Sequence, residues 1–244
     1  MSIGGVLSEA WSLYKRFIWQ FFLTAFVVYA VLDLLSAVAH AAAGDSTAAG
    51  ILWGVIAFAL GIIGYFWVQG ALIELVRDVR DGRADRSIGE TYQAVYPRVP
   101  ALLVAGVLAG IGIAIGLVLL IIPGLFLLTI WSLIAAVIVL EGRSAGESFG
   151  RSREVVRGHG WSVFGLLVIT FLIVAIASAI IRLILSPLPD FLDDWLGALI
   201  AHSLTVPFPA AALVTAYYRL TASEQVAMSP PPPPSPTPGT PPAA

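Results

Sequence analysis

The chain has 244 residues, of which 59% are hydrophobic and only 11% charged, with a mean hydropathy of +0.92. Soluble domains carry about a quarter charged residues, so this composition excludes a water-soluble globular fold and implies a membrane protein. Zero cysteines exclude a disulfide framework, a cysteine-based zinc site and a thiol nucleophile, and the net charge of −2 matters less than where each sign sits.

Residues 1–16 read as an amphipathic arm. Ile3, Val6, Leu7, Ala10, Trp11 and Tyr14 share one helical face, while Ser8, Glu9, Ser12 and Lys15 face away, a pattern that suits a helix lying among lipid headgroups. Phe17 to Ala39 then predict the first span, 23 residues against the roughly 20 that a 30 Å hydrocarbon core requires. Ala39-His40-Ala41 resembles a signal-peptidase site, but the run is longer than the usual 7 to 15 or so residues of a signal sequence and contains Asp33. A retained span is therefore expected.

A polar turn (Gly44, Asp45, Ser46, Thr47) leads to a second span, about Ile51 to Leu75, and then to a loop bearing Arg77, Arg80, Arg83, Arg86 and Arg98. Within it Ser87-Ile88-Gly89-Glu90 has the form of a capping box, followed by Ile88, Tyr92 and Val95 on one face of a short surface helix ended by Pro97. The third span, Ala101 to Ile122, carries Gly106, Gly110, Gly112 and Gly116. Small residues four apart let helices approach closely in lipid. The loose likeness of this run to a nucleotide fingerprint fails for want of a preceding strand and an acidic ribose partner.

Pro123-Gly124 is expected to close a hairpin into the fourth span, Leu125 to Leu140. A segment with four arginines follows. It contains a second capping box, Ser144-Ala145-Gly146-Glu147, an expected Glu147/Arg151 pair at i,i+4, and Phe149, Ser152 and Val156 on one face. Gly158 and Gly160 precede the fifth span, Trp161 to Leu185, which holds Arg182 near its far end. The acidic loop SPLPDFLDDW then enters a sixth span, about 196–218, interrupted by Pro207 and Pro209. From 220 onward the chain reads as a disordered cytoplasmic tail with nine prolines among its last sixteen residues. Such a tail is a solvated, polyproline-type spacer that also offers a ligand for a protein partner of the SH3 or WW kind.

Charge fixes the orientation. The arm, the 77–100 loop, the 141–160 loop and the tail carry two, five, four and one Lys or Arg, twelve of thirteen, and Arg182 is the exception. Lys and Arg in short loops stay cytoplasmic, which places both termini in the cytoplasm, and the chain is expected in the inner (plasma) membrane. The fold class is all-α: six transmembrane helices in three hairpins with short amphipathic cytoplasmic helices. Ser2-Ile3-Gly4, Ser87-Ile88-Gly89 and Ser148-Phe149-Gly150 each open a short amphipathic stretch, so the chain reads as three units of surface helix plus hairpin.

The segment from Pro123 to Trp161 resembles the bacterial glycerophosphoryl diester phosphodiesterase membrane domain family and related uncharacterised six-span families. There a Pro-Gly hairpin precedes a span ending in Glu, then an Arg/Lys-Ser pair and a Gly-basic-aromatic stretch; here these are Pro123, Gly124, Glu141, Arg151, Ser152, Gly158 and Trp161. This chain has Arg153 where an aromatic commonly follows the Ser. About forty residues carry the likeness, and the soluble phosphodiesterase barrel that gives the family its name is absent from this sequence. The resemblance implies a fold and no activity.

A charge at mid-bilayer costs about 2.5 to 3.5 kcal/mol on insertion scales, and Asp33 and Arg182 fall at similar depth near the non-cytoplasmic side, so an intramembrane ion pair between them is expected. Glu74 reads as a solvated helix end and His202 as a packing histidine beside the proline break. The three histidines show no metal-ligand spacing, no Ser-His-acid arrangement can be assembled, and no cofactor is implied. The functional expectation is a non-enzymatic scaffold or partner subunit whose arginines meet anionic lipid headgroups, at about 1 kcal/mol per residue near the surface, without nucleic acid. The alternative is a small permease with a site near Asp33, Arg182 and His202. An intramembrane hydrolase acting through Glu141 or His202 ranks third.

Overall fold

Away from water, backbone N–H and C=O groups must be satisfied within the chain, and the apolar runs do this as helices. The computed structural model describes residues 1–43, 47–185 and 197–228, and every regular element among them is helical. Helix α1 (Ile3–Arg16) precedes α2 (Ile18–Ala43) and α3 (Thr47–Asp78). Next, α4 (Ile88–Val95) precedes α5 (Val99–Leu119), α6 (Ile121–Ile130) and α7 (Ile134–Ala136), the last running into a π turn over Val137–Glu141. Finally α8 (Ala145–Val156) precedes α9 (Gly160–Leu185), α10 (Ala198–Thr205) and α11 (Pro207–Met228). Among the described residues six helical segments are long and apolar enough to cross a bilayer. The protein is an all-α, multi-pass membrane protein, and its element order is a surface helix followed by a hairpin, three times over. The expected turn at Gly44, Asp45 and Ser46, the acidic loop and the proline-rich tail from Ser229 lie outside the described residues.

The core sits at one end of the bundle. Near the end of α3, residues 71–76 are buried on every side, and Val68, Leu72, Val76 and, in the 3-10 turn Val79–Asp81 that follows, Val79 are fully buried, with α3 packed against α4, α5 and α11. Helix α11 contributes the small residues Ala211, Ala212 and Ala216, also buried, which let α3 and α9 come close. Towards the other end the same spans present bare hydrocarbon: Val118, Ile122 and Phe171 are 86%, 80% and 71% exposed, the surface that lipid covers.

The arm is docked more firmly than a headgroup-lying helix. Val6, Ala10 and Tyr14 are buried, the Tyr14 hydroxyl donates to the Leu204 carbonyl at 2.8 Å, and Arg219 of α11 donates to the Glu9 carboxylate at 2.7 and 2.9 Å and to the Gly5 carbonyl at 3.1 Å. Only the edge of its apolar stripe, at Trp11, stays exposed.

Three boundaries differ from the sequence reading. The α5–α6 hairpin turns at Leu120, the one extended residue between the helices (φ −156°, ψ 128°), and Pro123-Gly124 lies inside the first turn of α6. A proline is tolerated there because the first helical N–H groups have no intrahelical acceptor. The fourth span is not one continuous helix but breaks at Trp131–Leu133. The sixth span does not give way to tail at 220; α11 continues to Met228, through a stretch with no proline before Pro230.

The glycine spacing of α5 has a specific use. A Cβ on Gly116 would stand 2.9 Å from the Gly124 Cα, and one on Gly124 would stand 2.5 Å from the Leu117 backbone nitrogen, so the two helices cross backbone to backbone. Around Gly110, by contrast, nothing lies within 4 Å. Gly116→Ala is therefore expected to destabilise by about 1–3 kcal/mol through overpacking, while Gly110→Ala is neutral or stabilising by up to about 1 kcal/mol; thermal unfolding of the two variants in detergent checks the contrast.

Candidate functional site

Glu141 ends the fourth span. The π turn that delivers it is buried through Val137, Ile138 and Val139, so its direction is set by packing, and its carboxylate collects donors from three elements. Oε1 accepts from the Tyr217 hydroxyl of α11 at 2.7 Å and from Arg151 Nε of α8 at 3.0 Å, and Oε2 accepts from Arg143 Nε at 2.6 Å. Arg151 also lies 3.6 Å from Glu154. The expected Glu147/Arg151 pair is not made: Glu147 spends its carboxylate on the capping box instead, taking the Ser144 hydroxyl at 2.6 Å and the Ser144 N–H at 3.1 Å. The box at Ser87/Glu90 is built the same way.

Ser152, one residue beyond Arg151, repairs the break in the fourth span. Its buried hydroxyl donates to the Ile130 carbonyl at 2.7 Å and accepts from the Leu133 N–H at 3.3 Å, two backbone groups that the irregular Trp131–Leu133 turn leaves without helical partners. Phe149 packs edge-on against Trp131 at 5.1 Å, closing the same joint. Of the motif residues, then, Glu141, Arg151 and Ser152 converge. Pro123 and Gly124 serve the hairpin at the opposite end of the span, Gly158 takes the left-handed conformation (φ 79°) that turns the chain into α9, and Trp161 is 87% exposed, the position of an interfacial anchor.

Opposite this hub stands the end of α3. Glu74 is 2% exposed, not the solvated helix end expected; it pairs with Arg86 and lies 3.6 Å from Arg77. One turn on, the Arg80 guanidinium lies over the Tyr218 ring at 3.7 Å. Between the two walls opens a cleft of about 560 Å³, lined chiefly by Arg77, Arg80, Glu141, Arg151, Tyr217 and Tyr218. The sequence does not single out either tyrosine or Arg80; the signal available is the Tyr217-Tyr218-Arg219 run of an aromatic belt at the end of a span, which fixes depth but not neighbours.

The intramembrane candidates are arranged differently from expectation. Among the described residues no ion pair joins Asp33 to Arg182: Asp33 has a buried Oδ2 without a hydrogen-bond partner, whereas Arg182 sits among the exposed Ile180, Leu183 and Ile184 of α9. The face of α2 that carries the neighbouring Tyr29 turns to α10, where the Tyr29 ring meets His202 at 5.1 Å. No group of three or more His, Asp or Glu side chains suited to a metal occurs among the described residues.

A family model described as a domain of unknown function, DUF7847, matches residues 88–228, more than half of the chain. The chain belongs to the DUF7847 family. Its matched region holds Glu141, Arg151, Ser152, Tyr217 and Tyr218, so one wall of the cleft lies within the DUF7847 region and the other, with Arg77 and Arg80, lies before it. No curated protein matches the chain. No solved structure matches it either.

Two measurements probe the hub of this DUF7847 protein. Ser152→Ala strands two buried backbone groups and is expected to cost about 1–3 kcal/mol, whereas Tyr217→Phe removes one hydrogen bond to a charged group, at about 1.5 kcal/mol; unfolding in detergent gives both. The Ser144 hydroxyl and N–H, bonded to Glu147, hold its carboxyl below the ordinary value of 4.5. Stability from this cap is therefore complete above that ordinary value and is lost as pH falls through the lowered one. Protection factors of the first amides of α8, taken relative to intrinsic exchange at each pH, are expected to fall through this acid window in the wild type and to stay level in Glu147→Gln, because Gln also closes a capping box.

Proposed function

We propose that this protein is a non-enzymatic scaffold or partner subunit of the plasma membrane, with both termini cytoplasmic, that holds anionic lipid headgroups against its arginine-bearing end. The observation that carries this reading is the meeting, at one end of the bundle, of segments that contain twelve of the thirteen Lys and Arg residues. Arg16 of α1 reaches the Gly82 carbonyl at 2.9 Å, Arg80 reaches Tyr218, and Tyr217 reaches Glu141, so arm, loops and the end of α11 form one polar platform on the spans. Cytoplasmic orientation follows from the positive-inside rule, and the proline-rich tail is the element through which a soluble partner would be reached. The Pro123–Trp161 motif supports a kinship of fold with the glycerophosphoryl diester phosphodiesterase membrane domains.

A second reading, a small permease, draws on the buried, unpartnered Asp33 Oδ2 close to the Tyr29/His202 contact, because an intramembrane carboxylate without a partner defaults to a functional role. It predicts solute flux into proteoliposomes that Asp33→Asn abolishes.

Native mass spectrometry of the full chain purified from its membrane tests the preferred reading. Bound lipid is expected to be enriched in anionic headgroups relative to the membrane extract. A bound fraction with the same composition as the extract overturns it, as does a reporter fused after Arg151 that is active only outside the cytoplasm.

A further inference from the structure

We propose that the cleft between α3, α8 and α11 is a binding site for a single phosphate group, with Arg80 as its principal ligand and Arg77 and Arg151 at its sides. The inference rests on the reading that this end of the molecule faces anionic headgroups, and it assigns that role to one place.

The arginines of this platform differ in how their charge is spent. Arg86 is engaged by Glu74, Arg143 and Arg151 by Glu141, and Arg219 by Glu9. Arg80 is held another way: its guanidinium carbon lies over the Tyr218 ring, 3.7 Å from the centroid, and among the described residues no carboxylate or carbonyl accepts from it. Stacking occupies the π face of a guanidinium and leaves its five N–H donors free in the ring plane. Such a group has already given up much of its rotamer freedom, so binding through it costs less ordering than binding through a loose surface arginine.

The surroundings suit an oxyanion with several acceptor oxygens. Arg77, in the last turn of α3, and Arg80, in the 3-10 turn Val79–Asp81 that continues it, are three residues apart and so share a face, and Arg151 enters from α8 across the cleft. Arg77 lies 3.6 Å from Glu74, and Arg151 is bonded to Glu141 and lies 3.6 Å from Glu154, so they stand as flanking donors to Arg80; Glu141, the one carboxylate among the described lining residues, already has both oxygens hydrogen-bonded to Tyr217, Arg143 and Arg151. The opening of about 560 Å³ lies where the spans end, at headgroup depth. Planar, bidentate N–H donation is the geometry in which arginine recognises phosphate. The phosphate is that of a lipid in the adjoining leaflet or of a soluble phosphate compound; both present the same oxygens.

The test uses the full chain in phosphatidylcholine nanodiscs containing a minor fraction of phosphatidylglycerol, with bound lipid counted by native mass spectrometry, and inorganic phosphate titrated separately. Arg80→Ala is expected to lower phosphatidylglycerol retention roughly tenfold or more, Tyr218→Leu to lower it severalfold, and Arg157→Ala, an exposed arginine outside the cleft, to leave it unchanged. Arg80→Lys keeps the charge but loses the planar fork, and intermediate retention supports bidentate recognition. Tight inorganic phosphate binding that Arg80→Ala abolishes, with no lipid preference, supports the site and assigns a soluble source. Equal losses in Arg80→Ala and Arg157→Ala overturn the site while leaving the broader lipid-contact reading intact. Wild-type protein that retains neither phosphatidylglycerol nor phosphate overturns both.

Discussion

The carboxylate of Glu141 is the point on which the arginine-bearing end depends. A charge 18% exposed at the end of a span is costly unless hydrogen bonds and counter-charges surround it, and here each donor arrives from a different element: the loop through Arg143, α8 through Arg151, α11 through Tyr217. Satisfying one side chain therefore fixes where three segments sit. Ser152 extends the same logic by one residue, since the helix that brings Arg151 to Glu141 also carries the hydroxyl that mends the broken fourth span. Position and polar satisfaction are solved together, and the cleft is the space left over beside the solution.

Against this hub, the end of α3 acts as a rigid partner. Residues 71–76 are buried on all sides, so Glu74 and Arg77, and Arg80 in the 3-10 turn that follows, are carried by a helix that cannot rotate without opening the core. A functional group mounted on such an element is held within narrow limits. The tightly packed arginine-bearing end and the bare opposite end divide the molecule into a part that specifies geometry and a part that meets lipid.

What was legible in the sequence follows the range of the interactions concerned. The capping boxes at Ser87/Glu90 and Ser144/Glu147 are complete within four residues and were readable outright, as were the six spans and the meeting of the arginine segments at one end. The motif names Glu141 and Arg151 without pairing them, local spacing points Arg151 to Glu147 instead, and Tyr217 lies 76 residues from Glu141, where nothing local announces it. Pro123-Gly124 misled because Pro is equally at home in a turn and in the first turn of a helix. Asp33 and Arg182 show the sharpest limit: residue counting gives depth along a helix, at 1.5 Å per residue, but each residue also turns the helix by about 100°, and without the packing there is no way to know which way Asp33 faces. Glu74 failed for the converse reason, since burial at the end of α3 is made by α4, α5 and α11 together.

The clasp between α1 and the last span has a consequence for biogenesis. Glu9 and Arg219 are separated by 210 residues, and Tyr14 and Leu204 by 190, so α1 leaves the ribosome long before the residues it docks against are made. Until α11 is threaded, the stripe through Val6, Ala10 and Tyr14 lacks the surface that covers it in the folded protein and must rest on the bilayer or on the insertion machinery. Docking of that helix thus reports that α11 is in place, and a nascent chain stalled before α11 displays an uncovered greasy ribbon along α1.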